Sequence, residues 1–378
     1  MNYNDFLVIS RRAVLASPAL LLPGCRPRRG SGFPGYAFVA NEEGQAVAAV
    51  DLTAFALARH IPLGAGPTAV LADAARRSIY ALTPESGMVH EIDPDHFAVR
   101  RRLHVGRKPV AMRLAPDGSA LWVLGSDPRQ VSRVALGRFQ TANRIPLPAE
   151  PVDFTLTPDG LFSAVSFGAA GLVSLLDLEA GRIKATTHAG EETGRLRFRP
   201  DGKQLLVADT ARRVLAVLDP GTASVITNLA LAVKPEHFCF KADGGELFVT
   251  GEGMDAVVII NPYFAQVTET MLAGRAPAEM ALSASPEYLF VTNPPTGEVA
   301  IMDVDTRRLV AVVAVGSDPG FVMMTPDNQY ALILNRRSGN MAVIRLAAVV
   351  PSRLRGAPLF TTIPVGSKPV SAAVLAVA

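Results

Sequence analysis

From Tyr36 to the end of the chain, apolar and polar residues alternate in short runs broken by Gly, Pro, Asp and Asn. Alternation at a spacing of two marks half-buried β-strands, whereas a helix would repeat at three and four. The runs recur in a fixed order. A short strand such as Val110–Ala115 leads into the turn Pro116-Asp117-Gly118, and the same turn returns at Pro158-Asp159-Gly160, Pro200-Asp201-Gly202 and Pro326-Asp327-Asn328. Proline presets the turn angle, Asp bonds the backbone, and Gly or Asn accepts positive φ. A second strand follows, as in Leu121–Leu124, Leu205–Ala208, Leu247–Thr250 and Tyr288–Asn293. A third ends in Asp or Asn, as in Val47–Asp51, Val214–Asp219, Val257–Asn261 and Val299–Asp303. A fourth, such as Leu309–Val315, runs into a Gly-x-x-Pro segment that opens the next set.

The segment Gly-x-x-Pro stands at Gly64–Pro67, Gly106–Pro109, Gly274–Pro277, Gly316–Pro319 and Gly366–Pro369. Pro151 and Pro235 keep only the proline, and Thr193 has lost it. The anchors 67, 109, 151, 193, 235, 277 and 319 are each 42 residues apart; the last step, to 369, is 50, which implies an eight-residue insertion. Four short strands per ~42-residue period make one antiparallel blade of a β-propeller. The ends are complementary. Residues 36–66 supply only a second, third and fourth strand, and Val370–Val377 supply only a first. Together they complete one blade, which closes the ring and removes its open sheet edges. The reading is therefore all-β: a propeller of eight four-stranded antiparallel blades over 36–378, with seven blades plus a degenerate repeat as the alternative.

Tyr288-Leu289-Phe290-Val291-Thr292-Asn293, its near copy Tyr36–Asn41, the Pro-Asp-Gly turns and the Gly-x-x-Pro anchors resemble the YVTN family of β-propeller repeat proteins. The resemblance spans 36–378. It implies an exported protein of binding or unknown role; relatives by fold include lactonases and the haem-bearing propellers of cytochrome-cd nitrite reductases.

The first residues have a different character. Ser10-Arg11-Arg12-Ala13-Val14-Leu15 resembles a twin-arginine export signal, a receptor-read address. The apolar run Ala13–Leu22 is too short to span a bilayer but suits a signal peptide. It ends in Leu21-Leu22-Pro23-Gly24-Cys25, which resembles a bacterial lipobox with Cys25 as the lipidated first residue of the mature chain. Residues 1–24 read as the export signal and 25–35, rich in Arg, Pro and Gly, as a flexible tether. The expected location is the periplasm or another extracytoplasmic space, with the membrane reached only through the lipid on Cys25.

Composition narrows the rest. Hydrophobic residues are 49% and charged residues 19%, which excludes a disordered chain. Two cysteines exclude a disulfide framework and any Cys-rich metal site. A net charge of +3 without a Lys/Arg stripe excludes a nucleic-acid footprint. Phosphate-loop, Gly-x-Ser-x-Gly and Cys-x-x-Cys-His motifs are absent from the sequence, and its six histidines lack metal-ligand spacing. His90 and His96, with Asp93 and Asp95, read as a solvated turn. No cofactor, metal or catalytic residue is assigned, and a monomer is expected.

One constellation emerges when the repeats are aligned on their anchors. Positions +3 and +5 of the first strand are mostly apolar and suit packing between blades. Position +2 reads Ala69, Ala111, Asp153, Arg195, His237, Glu279, Phe321 and Ser371. Four consecutive repeats thus place a titratable side chain at one height, and two residues further on come Arg113, Arg197 and Cys239. Asp153–Arg195 and His237–Glu279 are the expected ion pairs. Asp153, Arg195, His237, Glu279, Arg113 and Arg197 are the candidate ligand-binding set, suited to a carboxylate or lactone; a structural polar ring is the competing reading. Two functional classes follow: a binding or scaffold module for a protein or small anionic ligand, or a propeller enzyme of lactonase-like or electron-transfer type.

Overall fold

The strands of the computed structural model, which describes residues 32–349 and 357–377, fall into eight four-stranded antiparallel sheets. We number these blades in chain order. Blade 1 combines Gly35–Asn41, Ala46–Asp51 and Ala56–Pro62 with Pro369–Ala376; blades 2 to 8 then follow, from Ala69–His104 in blade 2 to Pro319–Pro364 in blade 8. Within each blade the strand after the anchor is innermost, and each innermost strand lies beside the next. The innermost strands of blades 8 and 1 touch, as do those of blades 1 and 2, so the ring is closed and its blade count is eight.

Closure is covalently split but hydrogen-bonded. Pro369–Ala376 pairs antiparallel with Gly35–Asn41, from Gly35 opposite Ala376 to Asn41 opposite Pro369. Asn41 Nδ2 adds a 2.7 Å bond to the carbonyl of Val365. Without this strand, Gly35–Asn41 would be a bare sheet edge.

The core is a set of layers between blades. Trp122, Phe154 and Leu176 join blades 3 and 4; Tyr80, Met112 and Val134 join blades 2 and 3; corresponding clusters fill each of the other interfaces. Alternation forces this: inner strands bury every second side chain against the neighbouring sheet and turn the others to the axis.

The turn chemistry is as expected. Gly118, Gly160, Gly202 and Asn328 have φ of 67°, 72°, 71° and 59°. Asp51 accepts bonds from the backbone N–H groups of Thr53 and Ala54 at 2.7 and 3.2 Å, and Asp303 from that of Thr306 at 2.8 Å. The lost proline at Thr193 has a replacement: its hydroxyl accepts from Phe167 N–H at 3.1 Å and donates to the Leu172 carbonyl at 2.9 Å, tying blade 5 to blade 4. The eight-residue insertion falls between the third and fourth strands of blade 8, after the short 3-10 turn Leu346–Ala348; residues 350–356 of it, like Cys25 and the segment 1–24 expected to be an export signal, lie outside the described residues.

Candidate functional site

At the anchor end of the innermost strands, the +3 side chains Met112, Phe154 and Leu196 are fully buried between blades. Their +2 and +4 neighbours Ala111, Arg113, Asp153, Arg195 and Arg197 face the opposite way, toward the axis, and are only half-buried, while Thr155 is buried. The pairing of Thr193–Phe198 with its partner strand slips between Thr193 and Leu196, a bulge that carries Arg195.

One contact fixes where these groups point. Arg195 in blade 5 donates from Nη2 to Oε1 of Glu279 in blade 7 at 2.7 Å. Blades two apart are separated by the whole of the blade between them, so the bond runs through the space around the axis. His237, from the intervening blade 6, brings Nδ1 to within 3.0 Å of the same Oε1, but this nitrogen is out of hydrogen-bond alignment.

The second half of the cluster centres on Asp153. Its Oδ1 accepts from Arg113 Nη2 at 3.3 Å, and its Oδ2 from Arg197 Nη1 at 2.8 Å and from the Leu196 backbone N–H at 3.4 Å. Arg113 also lies over the Phe154 ring, 5.4 Å from its centroid, and donates to the Met112 carbonyl at 3.0 Å.

The expected His237–Glu279 pair is thus present, whereas the expected Asp153–Arg195 pair is not. Asp153 is bound by the +4 arginines on either side, and Arg195 reaches past its neighbour to Glu279. The reason is geometric: +2 and +4 of adjacent inner strands lie on a diagonal, so a short Asp meets the +4 guanidinium beside it, and the longer Arg195 is free to cross the channel. The six candidate residues thus form two triads, Arg113–Asp153–Arg197 and Arg195–Glu279–His237, which meet at blade 5, where Arg195 and Arg197 share one strand.

Their electrostatics are unbalanced. Three guanidinium groups face two carboxylates, an excess of one positive charge before any contribution from His237. Burial pushes the Glu279 carboxyl upward, but the His237 contact and the Arg195 charge outweigh it and hold the group at about 2. Burial, assisted by Arg197 and Arg195, moves the Arg113 guanidinium below its ordinary value against the pull of Asp153. The Cys239 thiol, two residues from His237, is pushed up to about 12 by burial and by the Glu279 charge, which leaves it un-ionised at neutral pH and a poor nucleophile.

The other histidines singled out in the sequence separate. His90 is buried in blade 2, where Nε2 lies 2.9 Å from Thr83 Oγ1, so it is not part of a solvated turn. Burial and nearby Arg102 push it down to about 4. His96 sits at the exposed turn with Nδ1 2.9 Å from Asp93 Oδ2.

A feature the repeat alignment missed is an open cleft of about 770 Å³ between blades 8 and 1. His60, Asp318, Arg336, Arg337 and Lys368 are among its lining residues. Arg336 pairs with Asp318 at 2.9 Å and Lys368 with Glu42 at 3.0 Å. Adjacent arginines at 336 and 337, in the turn between the second and third strands of blade 8, were the available signal, and a weak one, since Arg212 and Arg213 stand in the same turn of blade 5. The cleft opens to solvent, where ion pairs contribute little.

No protein-family model and no curated protein matches the chain. Solved structures do. A dihydro-haem d1 dehydrogenase, NirN, in complex with DHE is 16% identical with a TM-score of 0.77, over 95% of this chain and 79% of that one. Hydrazine synthase of Kuenenia stuttgartiensis is 20% identical with a TM-score of 0.57, over 86% and 99%. Apo AztD of Citrobacter koseri is 12% identical with a TM-score of 0.66, over 90% and 97%. At these identities the likeness is one of fold.

Proposed function

We propose that this protein is an exported, YVTN-type propeller, lipid-anchored through Cys25, that binds a small anion at the anchor end of its central channel without transforming it. The observation that supports the reading is the Arg195–Glu279 bond across the channel, with Arg113 and Arg197 paired to Asp153 nearby and positive charge in excess. Guanidinium forks suit a carboxylate in geometry and charge.

The enzymatic alternative lacks its reagents in this cluster. A carboxyl held at about 2 is a weak general base near neutral pH, and a thiol at about 12 is a weak nucleophile. The likeness to NirN, solved with DHE, favours a second reading, a tetrapyrrole ligand. The residues present match it in part: the arginines suit its carboxylates, but His237, the one histidine in the ring, has its Nδ1 turned to Glu279.

Native mass spectrometry of the purified protein, with an absorption spectrum from the same sample, tests both. A bound carboxylic acid that Arg195→Ala releases supports the first reading. A visible absorption band supports the second. Co-purified ligand retained undiminished by Arg195→Ala would remove the channel from consideration.

A further inference from the structure

The channel mouth has two unlike walls. Blades 4 to 7 carry the charged cluster at +2. Blades 8, 1, 2 and 3 carry Phe321, Ser371, Ala69 and Ala111 at the same height, and blades 8 and 2 add Met323 and Leu71 at +4. Like the charged residues they are half-buried and stand at the axis-facing positions of their strands, flanked by fully buried neighbours such as Val70 and Val322. One flank of each rests against a core layer, Phe321 and Met323 on that between blades 8 and 1, Ala69 and Leu71 on that between blades 2 and 3, and Ala111 on that between blades 3 and 4, and the half that stays uncovered is what the channel sees. The Ser371 hydroxyl accepts a 3.3 Å bond from the Val70 N–H, so it is spent on joining blades 1 and 2.

Two consequences follow. The apolar wall offers a ligand carbon surface and no second charge to pair with. Its +2 side chains in blades 1 to 3 are the smallest of the ring, so the widest part of the channel lies on that side, across the axis from Arg195 and Arg197 and beside Arg113.

We infer that the ligand is an amphipathic carboxylate: its acid group meets the arginines of blades 3 and 5, and a compact apolar body, aromatic or alicyclic, lies against Phe321, Met323 and Leu71. This rests on the anion-binding reading above and narrows its ligand class. A small inorganic or purely hydrophilic anion would leave the apolar wall wet. An apolar body that covers about 55 Å² of it gains about 1.4 kcal/mol at ~25 cal/mol/Å², a tenfold gain in affinity.

The test compares acetate with cyclohexanecarboxylate by ligand-observed NMR titration of the purified protein. The expected result is at least tenfold tighter binding of cyclohexanecarboxylate, with both ligands weakened by Arg195→Ala. Phe321→Ala should cut the preference severalfold while acetate binding is retained, which shows the channel intact. Ala69→Leu, which adds methyl groups on the open side, should weaken cyclohexanecarboxylate more than acetate. Equal affinity for the two acids overturns this inference and leaves the anion reading standing. Failure of both to bind overturns both. A preference that neither Phe321→Ala nor Ala69→Leu changes places the apolar contact elsewhere and also overturns it.

Discussion

Replacement of Glu279 by Gln keeps the shape of the side chain and removes the charge that Arg195 and His237 share at 2.7 and 3.0 Å. The carboxyl moves from an ordinary 4.5 to about 2 in the folded protein. Each unit of such a shift corresponds to about 1.36 kcal/mol, so the upper bound is about 3 kcal/mol. The side chain is 28% exposed, and solvent screening reduces this to about 2 kcal/mol, between the ~1 of exposed pairs and the 3–5 of buried ones. The sign follows from linkage. The folded value is depressed, so the stabilisation is complete above pH 4.5 and is lost as pH falls toward 2. Urea denaturation of wild type and Glu279→Gln, followed by tryptophan fluorescence from Trp122, should show a constant difference of about 2 kcal/mol from pH 7 to pH 5.5. The difference should shrink to less than half by about pH 3. A loss of equal size at pH 7 and pH 3 would mean that packing, not charge, is what Glu279 contributes. No loss at pH 7 would mean that the cross-channel bond is too solvated to matter.

Other outcomes follow from the same geometry. Deletion of residues 369–378 removes the innermost strand of blade 1 and bares the edge of Gly35–Asn41; the truncated chain should aggregate on expression, and a soluble monomer in size-exclusion chromatography would refute the role of closure. Phe154→Ala opens a cavity in the fully buried layer between blades 3 and 4 and should cost about 3–5 kcal/mol in chemical denaturation; a cost below about 1 would contradict the packing described. Arg195→Ala should weaken carboxylate binding ten- to a hundredfold in a calorimetric titration with the fold intact by circular dichroism, as expected for a charge-assisted contact of about 1.5–3 kcal/mol. Cys25→Ser should move the protein from the membrane fraction to the soluble one; wild type already soluble and beginning after Cys25 would refute the lipid anchor.

The ring was legible because its rules are local and repeated. A 42-residue period, turn residues at fixed offsets and complementary ends are statements about neighbours in sequence, and each repeat restates them. The eight blades, the turn glycines and the split blade 1 therefore follow from the order of residues alone. The height of the candidate residues was legible for the same reason, since one repeat position means one distance along the axis. Their partners were not. Whether Asp153 meets Arg195 or the flanking Arg113 and Arg197 depends on the diagonal offset between adjacent strands, on the bulge at Arg195 and on side-chain reach across the channel. None of these is a property of a single repeat. The same holds for His90, buried beside Thr83 of the neighbouring strand in its blade, and for the left-handed backbone at Phe55, Phe97 and Phe139, where no glycine marks the turn. Sequence determines which residues face the axis; only the closed ring brings residues 84 positions apart, Arg195 and Glu279, to one hydrogen bond, because the channel is the one space that every blade shares.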